Sequence, residues 1–226
     1  MKHLKSIKNS RKAYKKGANL SEKLLMKEDT NRISRHSLLS RVFHWLMAGS
    51  ILILIATGIL PILKVKFEWV TPHWIAGLFL TITVLIHILR SLSPIKIKSM
   101  WISFSDLKEF VECRGKVRGG KYSLEQKLLH HGMTIFSMVS LITGWLLLLK
   151  IDTPFWERNP FIFEATTWGI IYLFHGIATL LFVFSIMIHI YFSLRPEKSH
   201  YLRSMFKGWL TRKEYNENHD PDRWDV

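Results

Sequence analysis

Four long apolar runs organise this sequence: Val42 to Leu63, Pro72 to Leu92, Leu128 to Leu149 and Thr167 to Leu194. None holds an Asp, Glu, Lys or Arg in its interior; Arg90 closes the second. Each is near or above the ~20 residues that a bilayer-spanning helix needs. Hydrocarbon offers no hydrogen bonds, so a spanning backbone must satisfy itself, as a helix or as a closed barrel. The runs are too long for barrel strands and lack period-2 alternation. They predict an all-α integral membrane four-helix bundle over residues 41–194. It is flanked by a basic tail (residues 1–40) and a polar tail (residues 195–226). The first run is expected to stay in the mature chain, because it follows about forty residues and is too long for a signal-peptide core.

Charge explains how a chain that is 48% hydrophobic carries a formal net charge of +15. Residues 1–41 hold 12 Lys/Arg against 3 Asp/Glu, and residues 90–127 hold 9 against 4. The tail from Arg195 holds 7 against 6, and the two remaining loops together hold 4 against 4. The bias of basic residues toward the cytoplasm puts both termini and the middle loop there, in a bacterial cytoplasmic (inner) membrane. On such a bundle the basic segments meet anionic lipid; no nucleic-acid partner is expected. Ser105 to Cys113 alternates apolar and charged residues and reads as a short interfacial helix. Tyr201 to Leu210 reads the same way, with Met205, Phe206, Trp209 and Leu210 as its apolar side. Trp45, Trp69, Trp74, Trp101, Trp145, Trp156 and Trp168 fall near span ends, where aromatic belts sit.

Ionisable side chains inside a membrane are costly and usually functional. His175 and His189 lie fourteen residues apart in the fourth run. On a helix that is about 21 Å of rise and about 40° short of four full turns, so both imidazoles share one face. One lies near each edge of a hydrocarbon core roughly 30 Å thick. This spacing suggests two stacked haems, one per leaflet. Cys113 is the only cysteine, so no C-x-x-C-H attachment or thiolate cluster exists and any haem is b-type. Zinc fits poorly, because paired ligands lie so far apart.

Depth sorts the remaining candidates. His73 is the outer partner for His175. The inner partner of His189 is one of His44, His87, His130 or His131; fourteen residues also separate His73 from His87. His3, His36, His200 and His219 lie in the polar tails and are expected to be solvated. Arg41 and Arg90, at the inner surface, could pair with haem propionates or simply snorkel. Glu125, His130 and His131 read as interfacial polar residues, with a proton relay as the alternative. A haem-free anchor and a His-coupled transporter are weaker readings. The chain has neither an internal repeat nor an intramembrane carboxylate to support the transporter.

Several elements together resemble a known family. They are Arg41-Val-Phe-His44-Trp45, His73-Trp-Ile-Ala-Gly77 with Arg90 closing that span, Gly120-Lys121-Tyr122-Ser123-Leu124-Glu125-Gln126-Lys127, and the His175/His189 pair. Over about residues 35 to 212 they look like the γ (cytochrome b) subunit of membrane-bound formate dehydrogenase. Related cytochrome b subunits serve thiosulfate reductases and nickel–iron hydrogenases. The resemblance implies an inner haem on His44 and His189 and an outer haem on His73 and His175. It implies a quinone pocket beside the inner haem, lined by Tyr122, Ser123 and Gln126, for menaquinone or ubiquinone. Ser123 stands where that family has Asn, and Glu125 where it has Gly. The alternative role for Ser123 is to cap the third helix.

The resemblance also implies a periplasmic iron–sulfur subunit carrying a catalytic subunit. A multihaem cytochrome c would serve the same physics. The outer loops are too short to hold a redox domain, but Lys64, Lys66, Trp69, Asp152, Trp156, Glu157 and Arg158 could form a docking rim. No substrate-catalytic motif is present in this chain.

Overall fold

A computed structural model describes residues 31–104, 106, 107, 111 and 118–224. Its four long helices each meet the length and hydropathy of a membrane span. The first, α1 (Leu38–Ile59), starts at Ser37, whose hydroxyl accepts from the Ser40 N–H at 3.2 Å. It therefore begins before the apolar run and also ends earlier. Pro61 has no N–H to continue the ladder. Leu60 to Lys64 form a turn instead, closed by Val65 N–H to the Leu60 carbonyl with Lys64 at φ 66°. The second long helix is α2 (Val70–Ser91), followed by a short α3 (Pro94–Met100).

The third long helix, α4 (Leu124–Leu148), opens on a capping box between Ser123 and Gln126. The fourth, α5 (Ala165–Leu194), has 30 residues. At 1.5 Å per residue it is about 45 Å long, which exceeds the hydrocarbon core, so its ends reach the headgroup region. Outward positions such as Leu52, Leu85 and Leu180 are exposed, as lipid-facing side chains must be. Hydroxyls within the spans bond back to their own helix; Ser50, Thr83 and Ser185 each donate to the carbonyl four residues earlier. That satisfies the hydroxyl where no water reaches.

The helices pack as two hairpins. α1 lies along α2, and α4 lies along α5, whereas the hairpins approach each other at few places. One polar contact across this seam is Trp145 Nε1–H to the Thr81 hydroxyl, at 3.1 Å. Trp168, expected at a lipid interface, is instead buried and donates to the Pro160 carbonyl at 2.8 Å.

The tail after α5 does not behave as a solvated extension. A 3-10 turn (Pro196–Lys198) leads into α6 (Ser199–Lys207), β2 (Trp209–Thr211) and α7 (Arg212–Asn218). β2 pairs antiparallel with β1 (Arg32–Ser34), setting Ile33 opposite Leu210. Both are buried, so Leu210 faces a small protein core and not a lipid interface. α6 ends at Gly208 with φ 89°, a left-handed cap that glycine adopts without strain. A Cβ there would meet the His36 carbonyl at 2.9 Å.

Three histidines expected in solvent are thereby enclosed or partly enclosed. His219 and His200 are buried and His36 is half-buried. The physical reason is Arg35, itself buried. Its guanidinium donates to the Lys121 carbonyl, reaches His219 Nε2 at 3.0 Å, and stacks 4.2 Å from the Tyr201 ring centre. His219 Nδ1–H donates in turn to the Gly120 carbonyl at 2.7 Å. Asp106 ties the middle loop to the same cap, pairing with Lys127 at 2.8 Å and with Arg223. His3 and the basic head before residue 31 lie outside the described residues, as does most of Ser105 to Cys113.

Burial, with the nearby Arg35 cation, pushes His219 down to about 4, against a gain from its bond to Gly120. A depressed histidine leaves the fold at full stability above its ordinary value of 6.5 and weakens it as pH falls toward 4. Protonation also removes the lone pair that Arg35 uses. Acidification from about pH 7 to about pH 5 is therefore expected to loosen residues 199–224. Limited proteolysis of membranes across that range reads it, and a pH-independent digestion pattern would contradict it.

Candidate functional site

Three histidine pairs cross the seam between the hairpins. At the outer end His73 of α2 faces His175 of α5, with ring centroids 6.4 Å apart. At the inner end His44 of α1 faces His189 of α5, at 6.3 Å. A third pair, His87 of α2 and His130 of α4, stands at 6.5 Å. From sequence, both His44 and His87 could have partnered His189. The structure sets His44 there and faces His87 to His130 of α4 instead. His131 lies beside His130, and its Nε2 sits 3.1 Å from the Met100 carbonyl.

The outer rings are held from behind. The Thr57 hydroxyl lies 2.8 Å from His73 Nδ1, and the Thr143 hydroxyl lies 2.9 Å from His175 Nδ1. From sequence Thr57 reads only as one of several small residues in the first run, with Ala48, Gly49 and Gly58, and Thr143 does not stand out. The available signal was a Thr-Gly dipeptide in each of the first and third runs (Thr57-Gly58 and Thr143-Gly144).

Arg41 donates to the Phe206 carbonyl, so its guanidinium is engaged by the cap. The Arg90 guanidinium lies 4.7 Å over the Phe43 ring.

At the inner end, Tyr122, Ser123 and Gln126 occupy one loop and the first turn of α4. The Ser123 N–H donates to Gln126 Oε1 at 3.1 Å, which leaves the Gln126 amide N–H groups as the donors it can present. The loop is pinned to the cap through Gly119, Gly120 and Lys121. Burial pushes the Tyr122 phenol up, against the pull of Arg35, so Tyr122 stays a neutral donor. His36 lies beside this loop. Its ring lies 6.4 Å from Tyr122. Burial first, then Arg35 and Lys121, push His36 down to about 3, so it is neutral at ordinary pH. Sequence reasoning placed His36 in solvent and missed it.

At the same end as His73 and His175, Asp152 and Arg158 form an exposed ion pair at 3.6 Å, and Lys64, Lys66, Trp69 and Glu157 are also exposed. Trp156 is only partly exposed, with its indole nitrogen buried.

Residues 35–208 match the prokaryotic cytochrome b561 family. The chain belongs to that family. It is a membrane electron-transfer protein of cytochrome b type, and its cofactor is haem b. No curated protein matches the sequence significantly.

The histidine geometry of this cytochrome b fits such a group. Two metal–nitrogen bonds of about 2.0 Å, plus about 1.1 Å from each nitrogen to its ring centre, would set imidazole centroids about 6.2 Å apart. The pairs stand at 6.3 and 6.4 Å. His44→Ala is expected to lower the haem b content seen in reduced-minus-oxidised spectra of membranes, as is His175→Ala. His87→Ala is expected to leave it intact. Loss at His87 with retention at His44 would reverse the inner assignment.

Proposed function

We propose that this chain is a dihaem cytochrome b subunit that passes electrons between a redox partner outside the cytoplasmic membrane and the quinone pool inside it. The observation that carries the reading is the alignment of two histidine pairs, one at each end of the same seam. His73 and His175 would hold the outer haem, and His44 and His189 the inner one. Bound haem supplies a reversible one-electron iron couple. The protein supplies ligation, spacing and a low-dielectric surround.

In this reading both termini lie in the cytoplasm, as the loop charges favour. The cap then lies on the inner side. Tyr122, Ser123 and Gln126 line a pocket for menaquinone or ubiquinone beside His189. A quinone headgroup needs hydrogen-bond partners for both carbonyls in a mostly apolar pocket. The Tyr122 hydroxyl and the Gln126 amide can donate, and the Ser123 hydroxyl can do so if it leaves its cap. Protons for the reduced quinone come from the cytoplasm and electrons from outside, so the step separates charge across the membrane. The exposed outer loops, with Asp152, Arg158, Lys64 and Trp69, form the docking rim.

The partner favoured by the resemblance to formate dehydrogenase γ subunits is a periplasmic iron–sulfur subunit carrying a catalytic subunit. A hydrogenase, a thiosulfate reductase or a multihaem cytochrome c would use the same rim. Mild detergent extraction of native membranes is expected to recover the chain with such a redox protein. The recovered complex should reduce a soluble quinone analogue. Gln126→Leu is expected to lower that rate several-fold with unchanged haem spectra. A chain recovered alone and active with a soluble donor would contradict the subunit reading. Unchanged quinone kinetics in the variant would leave Gln126 as a helix cap only.

A further inference from the structure

The hydrogen bonds behind the outer histidines have a fixed direction. A threonine hydroxyl carries one hydrogen. Thr57 directs it at the Ile53 carbonyl (2.6 Å) and, more weakly, at the Leu54 carbonyl (3.2 Å). Thr143 directs it at the Val139 carbonyl (2.6 Å) and the Ser140 carbonyl (3.2 Å). Each hydroxyl can then only accept from the ring. His73 and His175 must both carry their proton on Nδ1, which leaves the lone pair on Nε2. The Ser140 carbonyl also lies within bonding reach of the His175 ring and, as an acceptor, favours the same tautomer.

The adjacent glycines complete the arrangement. A Cβ at Gly58 would sit 3.6 Å from His73 Cε1, and one at Gly144 would sit 3.4 Å from His175 Cε1. Thr57 and Thr143 are themselves buried. The same dipeptide, on the first helix of each hairpin, thus holds the outer histidine of the second helix. The inner pair has no counterpart. His44 Nδ1 is buried with no hydrogen-bond partner among the described residues, and none is seen for the His189 ring.

We propose that Thr57 and Thr143 are positioning residues that lock the outer histidines as Nδ1–H tautomers and hold the outer haem at a lower reduction potential than the inner one. This rests on the reading of His73 and His175 as haem ligands. A ligand imidazole whose N–H donates to an oxygen is fixed in orientation and is a stronger electron donor. A stronger donor favours the oxidised metal, and hydrogen bonding of this kind is a recognised determinant of potential. Two such bonds at the outer site and none described at the inner site bias electrons inward. That is the direction needed for a donor outside to feed quinone inside.

The test uses the full-length chain in its native membrane or complex, with Thr57→Val, Thr143→Val, the double variant, and Thr→Ser at both positions. Redox titration of the haem absorbance is the readout, with low-spin ferric EPR to report ligand orientation. In the wild type, the haem removed by His175→Ala should be the one of lower potential. Each Val variant should raise the potential of that haem alone, the double variant should raise it further, and the Ser variants should restore it. If a Val variant loses the outer haem while the Ser variant keeps it at the native potential, the hydrogen bond is again what matters. Unchanged potential and EPR in the Val variants, or Ser variants that behave like Val, would overturn the proposal. If His73→Ala and His175→Ala leave the haem content unchanged, the ligand reading itself fails, which separates the two failures.

Discussion

An unpartnered imidazole is costly in hydrocarbon, and the core histidines of this protein face one another in pairs, with His44 Nδ1 left without a hydrogen-bond partner among the described residues. Three histidine pairs cross the seam, and the outer rings are backed by threonines of their own hairpin. The helices therefore pack closely within each hairpin and sparsely between hairpins. A bundle closed by apolar side chains alone would have no reason to keep the seam open. Haem b, the cofactor of this family, would fit between facing histidines there. The His44/His189 and His73/His175 rings stand at spacings at which each pair would hold one metal between them.

The cap obeys the complementary rule outside the membrane. Arg35 is buried among neutral acceptors and aromatic faces, where a cation is tolerated because its N–H groups are bonded and its plane is stacked. The Asp106–Lys127–Arg223 cluster joins the middle loop, the start of α4 and the C-terminal segment. Burial alone would raise the Asp106 carboxyl. The bonds from Lys127, the Ser103 N–H and Arg223 outweigh it and hold the group below its ordinary range. The result is a densely bonded end of the bundle around the Tyr122 loop, where the proposed quinone pocket would lie.

Much of this was legible in the sequence. Hydropathy alone marked four spans, because the bilayer sets their length. Depth sorted the histidines into inner and outer sets, since 1.5 Å per residue converts position into height. What was not legible depends on contacts between distant segments. The tail after Arg195 has nearly balanced charge; His200 and His219 read as solvated, and Tyr201 to Leu210 as an interfacial helix. Its burial follows from Arg35 reaching His219 across the chain. Spacing alone left His44 and His87 open, because it does not give the azimuth of each helix; the family resemblance implied His44. Thr57 and Thr143 looked like ordinary small residues, because only the packed hairpins bring their hydroxyls to His73 and His175. Pro61 was visible, yet the apolar residues around it extended the first run past the end of its helix.

The central claim is that two histidine pairs on one seam each hold a haem. Pyridine haemochrome analysis against quantified protein tests it most directly. The account predicts two b haems, both six-coordinate and low-spin, per 26.6 kDa chain. A ratio of one, or a high-spin five-coordinate spectrum, would contradict it.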